Sequence, residues 1–206
     1  LDDRNRLGVG DRVTEVQLPE PTFEALKDLF LSNDFSRTRP YRPKQAPFDH
    51  IIAARQQGPS IVQSFHPSIA HRGGHLYAII CDICAMANTN GGTVYVGLSA
   101  DPKTAVIGLP KPSEVASVIR HEVEKKITPP LEVEIDERVT QGKKVLQISV
   151  PVGEDPPYAI DENKIYVRDE TDTDLAVRDE IVALVKRNLS LKESAMVELA
   201  TSSEQE

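Results

Sequence analysis

The sequence lacks any apolar run close to the roughly 20 residues that a membrane-spanning helix needs, so we expect no membrane partner. It has only two cysteines and no visible signal peptide, which argues against the disulfide framework of a small secreted domain. These absences favour a reducing, cytoplasmic setting. The chain also begins without a methionine, so we expect that it was cut from a longer protein or has lost its start.

Motifs of common catalytic sites are also missing. There is no G-x-S-x-G elbow and no P-loop, which argues against covalent catalysis. The segment CDIC at 81–84 follows His66, His71 and His75, and this combination invites a zinc interpretation. However, CDIC lies inside a helical repeat, and no second C-x-x-C supplies the remaining ligands of a structural site. We therefore expect buried or half-buried thiols, no metal and no cofactor.

The charge of the chain is acidic and unevenly distributed. The net charge is -8, and residues 151–206 carry 14 acidic and 6 basic groups, while the preceding part is balanced. Phosphate affinity comes from lysine and arginine, so the whole chain is not expected to bind polyanions non-specifically. Residues 1–150 carry equal numbers of acidic and basic groups, and this composition still permits a local basic face there.

Three regions follow from the patterning. Residues 1–60 are predicted to form a leader, in which PTFEALKDLFLS is a short helix capped by Thr22. In the same leader, RTRPYRPKQAP at 37–47 predicts an extended linker, or a basic arm that touches phosphate or another chain. A compact domain is expected at 61–189, followed by an acidic tail at 190–206.

The first half of the domain alternates between the two secondary-structure periods. SIVQSF predicts a strand, and GGHLYAIICDICAMAN predicts a helix. TVYVGLS then alternates like a strand, and VIGL is expected to return beside it as a hairpin. The stripe of the helix that faces the core is predicted to consist of Leu76, Ile79, Ile80, Ile83, Cys84 and Ala87.

The second half predicts a helix, a hairpin, a strand and a last helix. Ser113 is expected to cap the first helix, and Pro129-Pro130 to stop it. LEVEID and VLQISVPV are predicted to pair as a hairpin around QGKK, followed by the strand KIYVR and a helix capped by Asp172 or Thr173. This order predicts an α+β fold: a mixed, mainly antiparallel sheet of hairpins packed with two to three helices.

The stretch ANTNGG at 87–92 has two interpretations. Asn and Gly adopt the left-handed conformation that ends a helix, so the stretch could be a helix stop. Two consecutive glycines before a strand also permit close backbone approach, as in a loop that binds a ligand. Local spacing favours the helix stop and leaves the second interpretation open.

Six stretches occur in order: ICAMANTNGGTVYVGLS, VIGL, ITPP, VLQISVPV, PPYAI and KIYVRDETDTDLA. Together they resemble the Schlafen AlbA-type domain, a family regarded as DNA-binding. The resemblance covers about residues 61–189 and implies a small α+β module that binds nucleic acid. It places the family loop at Asn88, Thr89, Gly91 and Gly92. It also implies a Y-x-R strand at Tyr166, Val167 and Arg168 and an approximate T-x-x-A at Thr173 and Ala176, but the family's glycine after the arginine is absent.

Some Schlafen proteins are RNA nucleases with three carboxylates that can hold a divalent metal. By resemblance, the two Glu positions and the adjacent Lys fall at Pro59, Ser64 and His66, so neither Glu is retained. The position after Gly97-Leu98 is Ser99, and we expect Asp101 to be a turn residue. A degenerate nuclease is therefore the least favoured function.

The leading hypothesis is a non-catalytic nucleic-acid-binding module of a regulator-type protein, with low specificity for DNA or RNA. The alternative is a protein-interaction or assembly module of the same fold, acting as a homo-oligomer or with a flanking domain; the acidic charge and the loss of the acidic cluster favour it. No catalytic residue is assigned. The candidate phosphate contacts are Arg120, Lys125, Lys126, Lys143, Lys144 and Arg168.

Overall fold

The computed structural model describes residues 14–32, 35–40, 49–70 and 74–203, with only the backbone described for 195–203. The chain divides into two units, residues 1–57 and 58–206. Over these described stretches, no helix combines the length and the apolar character that crossing a bilayer requires.

The first unit contains short elements. Thr22 caps its first helix, because the Thr22 hydroxyl accepts a hydrogen bond from the backbone of Ala25 at 3.2 Å, as the sequence predicted. Part of the expected linker is a strand, since residues 38–40 pair with residues 14–16; residues 41–47 lie outside the described residues. The described elements are β1 (Thr14–Val16), α1 (Phe23–Leu31), a 3₁₀ turn (Phe35–Arg37), β2 (Thr38–Pro40) and α2 (His50–Gln57).

The second unit has an α+β fold with two four-stranded sheets. One sheet has the order β3-β4-β7-β6 and the other β10-β9-β8-β5. All strand pairs are antiparallel except β3 with β4, which are parallel and joined through α3. The elements are β3 (Gln63–His66), α3 (His75–Asn88), β4 (Gly92–Val96), α4 (Pro112–Lys126), β5 (Ile127–Thr128), β6 (Glu134–Thr140), β7 (Lys143–Val150), β8 (Ala159–Ile160), β9 (Lys164–Asp169), β10 (Asp172–Leu175) and α5 (Arg178–Ser203).

Helix α3 is the centre of this unit. The predicted apolar stripe is buried, and Ala85 and Met86 on other sides of the helix are buried as well. The helix contacts strands of both sheets and α4, so nearly its whole surface is covered. A helix that is buried all round belongs to the core of a domain. Strands β3, β9 and β10 all contact α3.

The predicted hairpin of β6 and β7 is confirmed, with Ile135 opposite Ile148. Strand β7 is buried on both faces, because Val145 and Gln147 are buried as well as Leu146. The strand KIYVR is confirmed as β9.

Three sequence predictions about local structure are wrong. VIGL forms no strand, because both edges of β4 are already occupied by β3 and β7. Ser113 lies inside α4, which begins at Pro112, a residue suited to a first helical turn because it needs no amide partner. Asp172 and Thr173 lie in β10, paired with β9, and the last helix begins only at Arg178.

Candidate nucleic-acid interface

The family loop begins with an asparagine whose side chain is fully engaged inside the protein. Asn88 is 1% exposed. Its amide nitrogen donates to the carbonyl oxygens of Tyr158 at 2.9 Å and Tyr166 at 2.8 Å, and its amide oxygen accepts from the Tyr158 backbone nitrogen at 2.7 Å. One side chain therefore joins the end of α3 to the segments that lead into β8 and along β9.

The next residues of the loop close the helix. The Thr89 hydroxyl donates to the Ala85 carbonyl oxygen at 2.8 Å, and the Gly91 nitrogen donates to the Met86 carbonyl oxygen at 2.8 Å. These bonds satisfy carbonyl groups that a helix end would otherwise leave without partners. This part of the loop is therefore a helix stop.

The two glycines of the loop allow close contact between backbones. Gly91 has a φ of 67°, and a Cβ at this position would lie 2.8 Å from the Val150 carbonyl oxygen. Gly92 has a φ of 150°, and a Cβ there would overlap the carbonyl oxygen of Val62, which accepts the Thr93 amide at 2.8 Å. Internal contacts thus account for all four residues of the family loop: Asn88, Thr89, Gly91 and Gly92.

Helix α5 is also bound to the C-terminal end of α3. Arg187 donates to the carbonyl oxygens of Asn88 at 2.7 Å and Thr89 at 3.3 Å. A cation at the C-terminal end of a helix also interacts favourably with the helix dipole. The last helix is therefore anchored at the end of α3.

Arg168 of the Y-x-R strand lies in the interior. Its side chain is 2% exposed. The guanidinium donates to the carbonyl oxygens of Ser60 at 2.8 Å and Gln63 at 2.9 Å, to the Thr173 hydroxyl at 2.9 Å and to the Asp82 carboxylate at 3.4 Å. Thr173 in turn donates to Asp82 at 2.7 Å. The sequence motif Y-x-R-x-x-x-x-T thus builds an internal network, and Arg168 cannot reach a phosphate in this structure.

His66 completes the network from β3. Its Nε2 lies 2.8 Å from the second oxygen of Asp82. Burial would raise the pKa of Asp82, but the hydrogen bond and the charge of His66, together with hydroxyl partners, hold the pKa below its ordinary value. Burial lowers the pKa of Arg168, and the charge of Asp82 opposes this effect. The ionised Asp82 is therefore the carboxylate on which His66, Arg168 and Thr173 converge.

Sequence reasoning missed the role of Asp82. A usable signal was present, because Asp82 is a charged residue in the middle of a helix whose neighbours are all apolar. A buried charge requires a partner. Neither helical spacing nor local composition identifies that partner, which lies 86 residues away in β9.

The cysteines of CDIC are free and buried. Burial raises the pKa of Cys84 to about 12, and burial also raises the pKa of Cys81. Both thiols therefore stay protonated near neutral pH. Among the described residues, no group of three or more His, Cys, Asp or Glu side chains is placed to hold a metal ion.

The candidate lysines form two separate groups. Lys143 and Lys144 are exposed at the start of β7, beside the N-terminal end of α4, because the Leu109 nitrogen donates to the Lys144 carbonyl oxygen at 2.7 Å. Lys125 and Lys126 lie at the other end of the 15-residue α4, which spans about 21 Å. The structure therefore does not bring the two lysine pairs together in one patch.

Lys126 belongs to a cluster that the sequence did not reveal, which we call the Tyr77 cluster: Tyr77, Lys126, Lys164 and Tyr166. The ammonium groups of Lys126 and Lys164 lie 5.6 and 5.5 Å from the centre of the Tyr77 ring. Lys164 also donates to the Tyr77 hydroxyl at 3.3 Å, and this bond raises the pKa of Lys164. The Tyr77 hydroxyl lies 3.3 Å from that of Tyr166, whose pKa is raised by burial. Two cations from different elements thus converge on one ring.

Each lysine of the Tyr77 cluster has an acidic neighbour. Lys126 lies 3.5 Å from Glu122, and Lys164 lies 3.2 Å from Asp161. The side chain of Lys164 is 45% exposed and that of Lys126 27%. The Lys164–Asp161 pair faces solvent and is therefore weak, so a phosphate can compete with Asp161 for the ammonium group of Lys164.

Arg120 lies in different surroundings. It lines a cavity of about 410 Å³ together with Glu124, Glu132 and apolar side chains such as Leu131. The acidic side chains around it outnumber the one cation. Arg120 is therefore a poor phosphate ligand compared with the lysines of α4.

By the resemblance, Ser64 falls at a nuclease Glu position and His66 at the Lys position, and Asp101 lies two residues after the third carboxylate position, Ser99. Ser64 is buried in β3, and His66 binds Asp82. The Asp101 carboxylate accepts hydrogen bonds from the Lys103 backbone at 2.9 Å and the Thr104 hydroxyl at 3.1 Å, which is the arrangement of a turn residue.

The fold and these internal contacts define an α+β domain in which the sequence motifs around Asn88 and Arg168 connect its helices and strands. A model of the family described as Schlafen, AlbA_2 matches residues 62–177, which is more than half of the chain. The chain belongs to this family. No curated protein matches it significantly.

Two solved structures are similar to the chain. The DIP2311 protein from Corynebacterium diphtheriae has 16% identity and a TM-score of 0.45; the match covers 75% of this chain and 30% of that chain. The N-terminal domain of a Nitrosomonas europaea protein, described as an ATP-dependent DNA helicase RecG-related protein, has 19% identity and a TM-score of 0.40; the match covers 49% of this chain and 70% of that chain. The chain thus spans less than a third of the Corynebacterium protein's length.

Proposed function

We propose that this domain is a non-catalytic nucleic-acid-binding module of a regulator-type protein. It binds the phosphate backbone of DNA or RNA with little discrimination between bases. Membership of the Schlafen, AlbA_2 family supports the class of ligand. The observation that carries the proposal is the convergence of Lys126 and Lys164 on Tyr77 at the surface. The free thiols are compatible with work in a reducing compartment such as the cytoplasm.

The Tyr77 cluster is the proposed primary phosphate contact, with the exposed Lys125 beside it. Two lysines that are held near one ring present their charges in a restricted geometry, so less conformational freedom is lost when a phosphate binds. Lys143 and Lys144, which lie near the opposite end of α4, form a second contact. Such a separation suits an extended backbone that carries a charge at every nucleotide.

The test is fluorescence anisotropy with labelled single-stranded RNA, single-stranded DNA and duplex DNA at several salt concentrations. Each lysine that neutralises a phosphate of duplex DNA contributes about 0.9 to the slope of log affinity against log salt. We expect Lys126→Glu/Lys164→Glu, which removes both cations of the Tyr77 cluster, to lower the magnitude of this slope by about 2 and to weaken binding to all sequences alike.

The matched control is Lys27→Glu/Lys103→Glu, which changes the net charge equally at two exposed sites outside the proposed contact. This control should retain most of the affinity. If neither DNA nor RNA binds at low salt, or if the control loses affinity as much as the test variant, the proposal is wrong.

The non-catalytic part of the proposal rests on Pro59 and Ser64, which by the resemblance stand where the nucleases carry Glu. Ser64 is buried, and His66, at the Lys position, is bound to Asp82. We expect no cleavage when labelled RNA is incubated with the protein and Mn²⁺. Cleavage that disappears in Asp101→Ala would show a metal-dependent nuclease instead.

A further inference from the structure

A small cavity lies directly beside the Tyr77 cluster. Its volume is about 120 Å³, and it is lined by Gly74, Leu76, Tyr77, Ile80, Glu122 and Lys126. Leu76 and Ile80 are buried core residues and form an apolar wall. Tyr77 and Lys126 belong to the cavity and to the cluster, so a group in the cavity and a phosphate at the cluster are immediate neighbours.

Two polar groups of opposite character line the same cavity. The ammonium group of Lys126 lies 3.5 Å from the Glu122 carboxylate, and the two side chains are 27% and 23% exposed. One hydrogen-bond donor and one acceptor are thus available side by side next to an apolar wall, which is the usual composition of a small-ligand site. A nucleobase has the matching chemistry, because its ring face is apolar and its edge carries adjacent donors and acceptors.

The size of the cavity limits which base can enter. An apolar cavity of about 150 Å³ accommodates benzene. A cavity of about 120 Å³ therefore suits one six-membered ring, and a two-ring purine is too large to enter fully. A base reaches such a cavity only when it is unstacked and unpaired. The ligand that these properties define is a pyrimidine base of a single strand or a loop.

We propose that this cavity, which we call the base slot, holds one unpaired pyrimidine base while Lys126 and Lys164 bind the adjacent phosphate. The inference rests on the proposed phosphate contact and adds to it a preference for single strands over duplexes. Lys126 donates to a carbonyl oxygen of the base, and Glu122 accepts from a ring or amino N–H. Cytosine, thymine and uracil all offer both groups, so the slot separates one-ring from two-ring bases and reads no further sequence.

Gly74 offers a variant that narrows the base slot without changing a charge. Gly74 has a φ of 73°, and a Cβ there meets nothing within 4 Å. Asparagine tolerates this left-handed backbone, so Gly74→Asn adds a side chain at the lining of the slot. The matched control is Gly58→Asn, because Gly58 has a φ of 83°, has the same open surroundings and does not line the slot. Circular dichroism and urea unfolding verify that both variants are folded.

Fluorescence anisotropy at low salt then compares three labelled oligomers with equal numbers of phosphates: oligothymidylate, oligodeoxyadenylate and an abasic oligomer. We expect the wild-type chain to bind oligothymidylate about five- to tenfold more tightly than either of the others. Gly74→Asn should reduce this difference to less than about twofold and leave the salt dependence unchanged, since no cation is lost. Gly58→Asn should retain the wild-type difference.

The outcomes separate the base slot from the phosphate contact. Equal wild-type affinity for oligothymidylate and the abasic oligomer, or a Gly74→Asn variant that retains the difference, overturns the base slot. Equal affinity for oligothymidylate and oligodeoxyadenylate overturns the selection of one-ring bases. Failure of all three oligomers to bind overturns the phosphate contact and the base slot with it.

Discussion

Asp82 illustrates how one residue determines the role of several others. Its carboxylate is buried in α3 and binds His66, Arg168 and Thr173, which come from three different strands. Without Asp82, the guanidinium of Arg168 would be a buried charge without compensation. Arg168 therefore stabilises the domain, and its presence in the motif does not identify a ligand.

The first residue-scale prediction concerns Asp82→Asn. We expect the free energy of unfolding at pH 7 to fall by about 3 kcal/mol, because the charge of Arg168 loses its partner. The folded pKa of Asp82 lies below the unfolded value, so the stabilisation is present above the unfolded pKa and is lost as pH falls through the folded pKa. The difference between the two proteins should therefore shrink below about pH 4.

Urea unfolding at neutral and acid pH measures this difference. The control is Asp174→Asn, which removes an exposed carboxylate from β10 and should change stability by less than about 0.5 kcal/mol at either pH. A difference between wild type and Asp82→Asn that is independent of pH would contradict the assigned ionisation.

At the scale of elements, the turn between α3 and β4 determines how β9, α5 and β4 are attached to the end of α3. Asn88 joins α3 to β9, Arg187 joins α5 to the same helix end, and Gly92 lets β4 begin against the backbone of Val62. Four elements meet at a few residues, so the turn cannot accept a larger side chain at its tightest point.

The element-scale prediction compares two glycines that both have positive φ. Gly92→Ala places a Cβ against the Val62 carbonyl group, whereas a Cβ at Gly142 meets nothing within 4 Å. Gly142→Ala should lower the free energy of unfolding by about 1 kcal/mol through backbone strain alone. Gly92→Ala should lower the free energy of unfolding by at least about twice as much, because the start of β4 must also move away from the Val62 carbonyl group. Equal losses in thermal or urea unfolding would show that the close approach has no energetic importance.

At the scale of the whole molecule, the two units differ in how they are built. The main hydrophobic core lies entirely within the second unit, and its members come from α3, α4 and both sheets. The partners of Arg168 at Ser60 and Gln63 also lie in this unit, just before and within β3. The second unit therefore contains all the contacts that its core needs.

We predict that a fragment of residues 58–206 folds alone and unfolds cooperatively in urea. A fragment of residues 67–206 is the matched comparison, because it lacks β3 and the two carbonyl partners of Arg168 at Ser60 and Gln63. We expect it to be unfolded or strongly destabilised, since it exposes the edge of β4 and leaves a buried charge without two of its hydrogen-bond acceptors. Circular dichroism and urea titration measure both fragments. Two equally stable fragments would contradict this account of β3.

Local periodicity alone determined the elements whose signals are contained within one segment. The 3.6-residue period of α3, the alternation of the β6–β7 hairpin and the Asn-Gly helix stop follow from nearest-neighbour geometry and were predicted correctly. The ordered motifs also predicted the family and the α+β class. These features could be predicted because each depends on residues that are close in sequence.

Only the tertiary structure decided which polar side chains are available to a ligand. The sequence predicts Arg168 as a phosphate contact, but Asp82, 86 residues away, binds it in the interior. Lys164 is placed at the candidate phosphate contact by Tyr77, 87 residues away. VIGL could not become a strand because β3 and β7 had taken both edges of β4. Burial and sheet-edge occupancy are properties of the assembled chain, and no local pattern encodes them.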